Sequence, residues 1–290
     1  MCPDTEYWQD TMVDVARRIF TETKVNGLYL EQLGAPPARC LKPGHAHAPG
    51  DPASTSHGYQ TMLRKIRAAV KPINPDAFFT EEFFCGPHVG LSEGFLTYLS
   101  MDVSLVAYVY GEYAILFGHC IAGQEMARNL EMEARSCLSG SPSGWNMGGS
   151  DPRFLEYRKK LTRFRSKALP YLLLPMVRPL TSSYSLRALA TSLRRGDKGE
   201  AVVIATNPQL PAGVICSAAT PTAVTLKETY KLDCKAEGFD PGKFRLKVIT
   251  QNEEKDLGTV EGPAAQCEIE LGPQESAVYV LEPVIAGTSK

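Results

Sequence analysis

Two short apolar segments constrain the fold of this chain more than any other feature. They are Leu28–Glu31 and Asp76–Glu82, each preceded by an amphipathic helical pattern and each ending in carboxylates. Trp8, Met12, Val15, Ile19 and Phe20 recur at helical spacing, which predicts a helix from Tyr7 to Glu22 that Asn26-Gly27 interrupts. Tyr59, Met62, Leu63, Ile66 and Val70 mark a second helix, and the "PINP" that follows ends it because proline cannot continue the hydrogen-bond ladder. Helices alternating with apolar strands imply a parallel sheet covered on both faces. In such sheets ligand-binding groups gather at the carboxyl ends of the strands. The Gly/Pro/His-rich loop that runs to Ser56 is too long for a simple connector, so a functional role is expected of it.

Further along, "DVSLVAYVYGEYAILFG" predicts another apolar strand from Val103 to Tyr110, then a helical segment. "CLSGSPSGWNMGG" reads as a glycine-rich rim, and Phe154 to Leu174 as a closing helix. After Ser182 the texture changes to short strands separated by Gly, Pro and Asn, such as "EAVVIATNP", "FRLKVIT", "QCEIELG" and "SAVYVLEP". This predicts an antiparallel β-sandwich from about Leu186 to Pro283. It holds no histidine and no catalytic constellation, so its expected role is structural or carbohydrate-contacting.

The formal net charge is -1, so no global field points to nucleic acid or anionic lipid, and neither is an expected partner. The basic run "RFLEYRKKLTRFRSK", Arg153 to Lys167, reads as the solvated face of a helix. "LPYLLLPMV" is too short and too proline-broken to span a bilayer. Asp4, Glu6 and Asp10 fall where a signal peptide needs an apolar core, and no Asn-x-Ser/Thr acceptor occurs, so a cytoplasmic location is expected. The 8 cysteines include no CxxC pair, so a zinc cluster is not expected; their even number permits disulfides without requiring them.

The candidate chemistry lies in the strand ends. Glu31 and Glu81 would stand on adjacent strand ends facing one pocket. Two carboxyls across one site are what glycoside hydrolysis needs, one ionised and one holding a proton for the leaving oxygen. A single strand-end glutamate would be read simply as solvated; two on consecutive strands carry the hypothesis. Gln32 and Glu82 beside them are candidate substrate contacts. His45 and His47 read as sugar-hydroxyl contacts or plain loop residues, since a third obvious metal ligand is lacking. Trp145, in a Gly/Ser loop, reads as a stacking platform; Tyr29, Tyr108 and Tyr110 as core; Asp102 as a cap or turn. Pro142 occupies the nucleophile position of "GSPSG", and GxGxxG and P-loop motifs are missing, so no cofactor, nucleotide or metal is expected.

"YWQDTMVDVARRIFTETKVNGLYLEQLG", then Cys40 and "HAH", then "GYQTMLRKIRAAV" and "FFTEE", resembles the latter half of the barrel in an uncharacterised family of glycoside-hydrolase-like proteins. That family (a domain of unknown function) is distantly similar to α-galactosidase- and α-amylase-type barrels. "SGWNMGG", the closing helix and a terminal β-sandwich fit the same resemblance. It implies an α/β fold, a partial (β/α) TIM-type barrel over residues 1–183 and a β-sandwich over 184–290. It also implies Glu31 as nucleophile, Glu81 as acid/base, and His45 and His47 in the substrate loop. The family pattern has Asp where this chain has Glu31. Measured against such a barrel, the first three or four βα units are not in this sequence, which fits a fragment of a longer chain, a partial gene model, a decayed paralogue, or a half-barrel completed by a second copy or a partner chain. The implied activity is O-glycosyl hydrolysis; the alternative is a carbohydrate-binding or assembly module without turnover.

Overall fold

Residue periodicity translates directly into the first elements. In a computed structural model, the described residues are 2–35, 38–97, 103–118, 138, 140–142, 152–181, 188–207, 209, 224–240 and 242–284. Helix α1 (Glu6–Thr23) buries Ala16 and Phe20 and ends at Lys24, which adopts the left-handed conformation at φ 58°. Helix α2 (Ser54–Val70) buries Met62, Leu63, Ile66 and Val70, one stripe at i, i+1, i+4 and i+8. Strands β1 (Gly27–Leu30) and β2 (Phe78–Glu82) pair in parallel, Leu30 opposite Glu81. Strands β3 (Gly94–Leu96) and β4 (Ile115–Phe117) extend the same sheet, also in parallel.

The sheet order is β1-β2-β3-β4, strictly sequential. A doubly wound sheet reverses its order at a switch point, whereas a singly wound, barrel-type sheet does not. Phe20, Leu30, Met62, Leu63, Ile66 and Phe79 share one core between the helices and one face of this sheet.

Residues Val103–Tyr110 correct a sequence expectation: they form a helix, α3, not a strand, and the strand is the segment after it. A run of eight residues with one polar position, Ser104, shows no period, so strand and helix cannot be told apart from it. The Gly111 N–H donates to the Ala107 carbonyl at 2.9 Å, which closes the last helical turn. Strand β3 was not foreseen; its three residues are all buried and too few to show alternation.

Antiparallel strands fill the region after the closing helix, as expected, but they begin at Met176 rather than near Leu186. Helix α4 (Pro152–Leu172) precedes β5 (Met176–Thr181), β6 (Ala190–Arg195), β7 (Ala201–Thr206), β8 (Leu226–Asp233), β9 (Gly242–Thr250), β10 (Glu254–Gly262), β11 (Ala264–Leu271) and β12 (Ser276–Pro283). One sheet has the order β10-β9-β12-β7-β6-β5, and β8 pairs with β11 in a second. Tyr157, Leu161, Phe164 and Ala168 of α4 pack on Val202, Ile204, Val278 and Val280. The opposite face of the six-stranded sheet, Val203, Leu246 and Tyr279, packs on Leu232, Cys267 and Ile269 of the two-stranded sheet. Lys159, Lys160, Arg163 and Lys167 are exposed on α4, the solvated basic face expected of this segment.

Contact density divides the chain into Met1–Tyr98 with Tyr113–Phe117, and Leu99–Glu112 with Gly118–Lys290. Helix α4 shares its core with the antiparallel strands.

Candidate functional site

Strand parity decides which carboxylates meet. On β1, Leu28 and Leu30 belong to the helix-facing core, so Tyr29 points to the other face and Glu31 follows it by the same alternation. On β2, Phe79 lies in that core, which puts Glu81 on the helix side and Thr80 and Glu82 on the opposite side. The neighbour of Glu31 is thus Glu82, close enough for its charge to act on the Glu31 carboxyl. Glu81, which the sequence reading placed opposite Glu31, turns away from it.

The turn after β1 is built to make this meeting. Gln32 has φ 57°, a left-handed backbone that costs a non-glycine residue about 1–2 kcal/mol. In that conformation its main-chain N–H donates to Glu82 Oε2 at 2.8 Å. Gly34 then donates its N–H to the Glu82 carbonyl at 2.9 Å. A Cβ on Gly34 would stand 2.4 Å from the Phe83 carbonyl oxygen, so only glycine permits this approach. Phe83, the first residue after β2, is also left-handed, at φ 65°. Two bulky residues held with positive φ at neighbouring strand ends concentrate backbone strain where the carboxylates converge.

Electrostatics separates the pair. Partial desolvation at the strand end and the adjacent Glu82 carboxylate push the Glu31 carboxyl above the usual carboxylate range. Glu31 is exposed and Glu82 is buried, so Glu31 is the mobile partner and Glu82 the anchored one. The pair can hold one proton between two oxygens, the arrangement from which an acid and a base are made.

Glu81 has a different partner. Its Oε2 lies 2.7 Å from Nδ1 of His88, and both side chains are almost fully inaccessible. Burial alone would lower the His88 pKa, but hydrogen bonds to Cys85 and Glu81 and their charges carry it up to about 9. The result is a buried ion pair directly behind the sheet end that carries Glu82.

The long loop between β1 and α2 meets the segment before α1, and residues distant in sequence come together there. Cys40 Sγ lies 3.2 Å from His45 Nδ1, and Cys2 Sγ lies 3.2 Å from His47 Nε2. The two histidine rings, expected to touch sugar, are thus engaged with cysteine sulfurs. A cleft of about 480 Å³ opens beside this group, with Gln32, Arg39, Lys42 and Tyr59 among its lining residues. Trp145 and Asp102 lie outside the described residues. Tyr108 is exposed on α3 rather than in a core, and Tyr110 is half-buried.

Comparison with known proteins agrees with the resemblance seen in the sequence. Residues 1–121 match the family described as "Domain of unknown function (DUF6259)". A Bacteroides thetaiotaomicron protein described as "Putative glycoside hydrolase" is 29% identical over 179 residues, covering 57% of this chain and 26% of its own length. A Monosiga brevicollis protein with a similar description is 26% identical over 161 residues, 51% of this chain and 13% of that protein. The chain thus spans about a quarter or less of the length of these two relatives.

Among solved structures, a GH36 α-galactosidase from Geobacillus stearothermophilus superposes with a TM-score of 0.57 at 10% identity, over 98% of this chain and 39% of that one. A GH27 β-L-arabinopyranosidase from the same organism gives 0.54 at 13% identity, over 97% and 63%. An Anoxybacillus α-amylase gives 0.52 at 15% identity, over 99% and 65%. At these identities the likeness is one of fold: a parallel α/β sheet followed by antiparallel sheets. The sequence similarity is to uncharacterised glycoside-hydrolase-like proteins.

Proposed function

We propose that this chain carries a glycosidase-type carboxylate site whose working pair is Glu31 and Glu82, acting on an O-glycosidic bond of a carbohydrate. The observation that carries this reading is the meeting of those two carboxyls at the ends of adjacent parallel strands, with Glu31 pushed up and Glu82 held by the Gln32 N–H. The glycosidase descriptions of the relatives support a sugar as the ligand. The sequential strand order supports a partial (β/α) barrel as the scaffold, with a sandwich-like region after it; residues 1–183 and 184–290 are the proposed functional division.

Roles follow from environment. Glu31 tends to keep its proton, so it is the general acid toward the leaving oxygen. Glu82, buried and held in place by the Gln32 main-chain N–H, is the nucleophile or base. The reacting partner of Glu31 is then Glu82 rather than Glu81, and the proton-holding member is Glu31 rather than its neighbour. Glu81 with His88 serves to position the end of β2.

A retaining pair stands about 5–5.5 Å apart and an inverting pair about 6.5–9.5 Å. Carboxyls at side-by-side positions of adjacent strands, whose main chains lie about 4.8 Å apart, start no farther apart than a retaining pair, so a bound sugar would have to part them. Glu31, on an exposed turn, is the one that can swing. This closeness is also what favours the second reading, a carbohydrate-binding or assembly module that binds without turnover.

A panel of aryl glycosides and oligosaccharides separates the two readings. The hydrolase reading expects turnover that Glu82→Gln and Glu31→Gln each abolish while binding persists. Saturable glycan binding with no turnover in the parent chain would select the module instead. Light scattering on the same preparation tests whether a second copy completes the sheet.

A further inference from the structure

We propose that Cys2, Cys40, His45 and His47 form a closed tetrahedral site for a zinc-class divalent cation. The inference stands apart from the glycosidase reading, because none of these four residues belongs to the carboxylate pair.

Four side chains each offer one ligand atom, and all four atoms lie within 4.8 Å of one another. Zinc bonds of about 2.3 Å to sulfur and 2.0–2.1 Å to nitrogen, at tetrahedral angles, require ligand atoms roughly 3.3–3.8 Å apart. The two sulfur–nitrogen contacts, both 3.2 Å, are already near that spacing, so a cation needs only small side-chain adjustments. Two thiolates and two imidazoles suit a soft or borderline metal in tetrahedral geometry and are a poor match for magnesium or calcium, which take oxygen ligands.

The surrounding chain supports the arrangement. Nδ1 of His47 donates to the Ala48 carbonyl at 2.9 Å, which leaves Nε2, the atom facing Cys2, with its lone pair free. Metal-bound histidines are habitually anchored in this way. The Gly50 N–H closes the loop on the Cys40 carbonyl at 2.7 Å. Cys2 is delivered from the other side by a close approach of main chains. A Cβ on Gly58 would meet the Asp4 nitrogen at 2.5 Å, so glycine there lets residues 2–4 lie on α2.

Four protein ligands leave no open position for water, so the cation would be structural rather than catalytic. It would join the segment before α1 to the loop after β1. That loop also supplies Gln32, which lines the neighbouring cleft together with Cys2, Cys40 and His45. The same proximity of Cys2 and Cys40 would otherwise invite a disulfide, and the two outcomes are chemically exclusive.

The test is to strip the reduced chain with a chelator and titrate it with Co²⁺ alone. The expected result is one cobalt per chain, with the intense visible bands of tetrahedral cobalt and a thiolate-to-cobalt charge-transfer band. One equivalent of Zn²⁺ should bleach both. Cys40→Ser should cut the charge-transfer intensity roughly in half or abolish binding, while His57→Ala, a neighbouring histidine outside the cluster, should leave the spectrum unchanged. Only weak octahedral bands, or a Cys2–Cys40 disulfide in protein purified with zinc present, would overturn the site. Because the first readout uses the unmodified chain, misfolding of a variant cannot decide the outcome.

Discussion

The main-chain N–H of Gln32 reaches the Glu82 carboxylate at 2.8 Å across 50 positions of sequence. This contact joins the end of β1 to the end of β2 and holds the Glu82 carboxylate beside the turn that carries Glu31. It needs Gln32 in a left-handed conformation and a glycine at position 34. Local strain is therefore the means by which the two acids are brought together.

Replacing Glu82 by Gln removes a charge but keeps an oxygen that can accept the Gln32 N–H. Since partial desolvation is the first cause of the raised Glu31 pKa and Glu82 supplies the remainder, Glu82→Gln should lower that pKa only part of the way to the usual range. Carboxyl-carbon NMR titration of Glu31 reads this directly. An unmoved Glu31 would mean that the two groups are not coupled. If the chain hydrolyses glycosides, kcat should fall by about 10²–10⁴ in the same variant.

Gly34→Ala tests the turn itself. The added Cβ would lie 2.4 Å from a carbonyl oxygen, and neither main chain can yield without breaking the Gly34 to Glu82 hydrogen bond. A loss of about 2–3 kcal/mol in urea unfolding is expected, in line with other backbone-strain substitutions. A cost within about 0.5 kcal/mol would show that the turn is adaptable.

The helix-strand alternation at the start of the chain was legible because its apolar residues sit at unambiguous periods. The carboxylate pair was half legible. Counting to strand ends selected Glu81, whereas parity, read from Leu28, Leu30 and Phe79 as core positions, selects Glu82. That signal lay in the sequence and needed only the register of two strands. The Cys2, Cys40, His45 and His47 cluster was not legible, because motif spacing looks for ligands close in sequence. Here Cys2 arrives through a packing contact with α2. Val103–Tyr110 failed for the opposite reason: every residue but Ser104 is apolar or aromatic, so it carried no period at all.

Gln32→Gly should separate strain from contact. The main-chain N–H survives the substitution, and glycine occupies φ 57° without a Cβ penalty. Relief of about 1 kcal/mol is partly offset by glycine's larger entropy in the unfolded chain, so a small net stabilisation is expected. Denaturant midpoints of the parent and Gln32→Gly chains check it. A marked destabilisation would assign the glutamine side chain a structural role of its own.

The buried Glu81–His88 pair predicts a pH dependence with a definite sign. In the unfolded chain His88 titrates near 6.5; folded, beside Glu81 and Cys85, it does so at about 9. A group whose pKa is raised by folding binds its proton more tightly in the native state. Its contribution is thus complete below about 6.5 and is lost as pH rises toward about 9. His88→Gln should remove that part of the slope, so the stability difference between parent and variant should shrink steadily across this window. Other groups titrate there too, but they cancel in the comparison. A difference that stays constant from pH 6 to 9.5 would mean that His88 is neutral in the folded chain. Glu81→Ala, which removes the carboxylate partner of a buried imidazolium, should cost about 3–5 kcal/mol at pH 6 and less at high pH, where His88 can lose its proton.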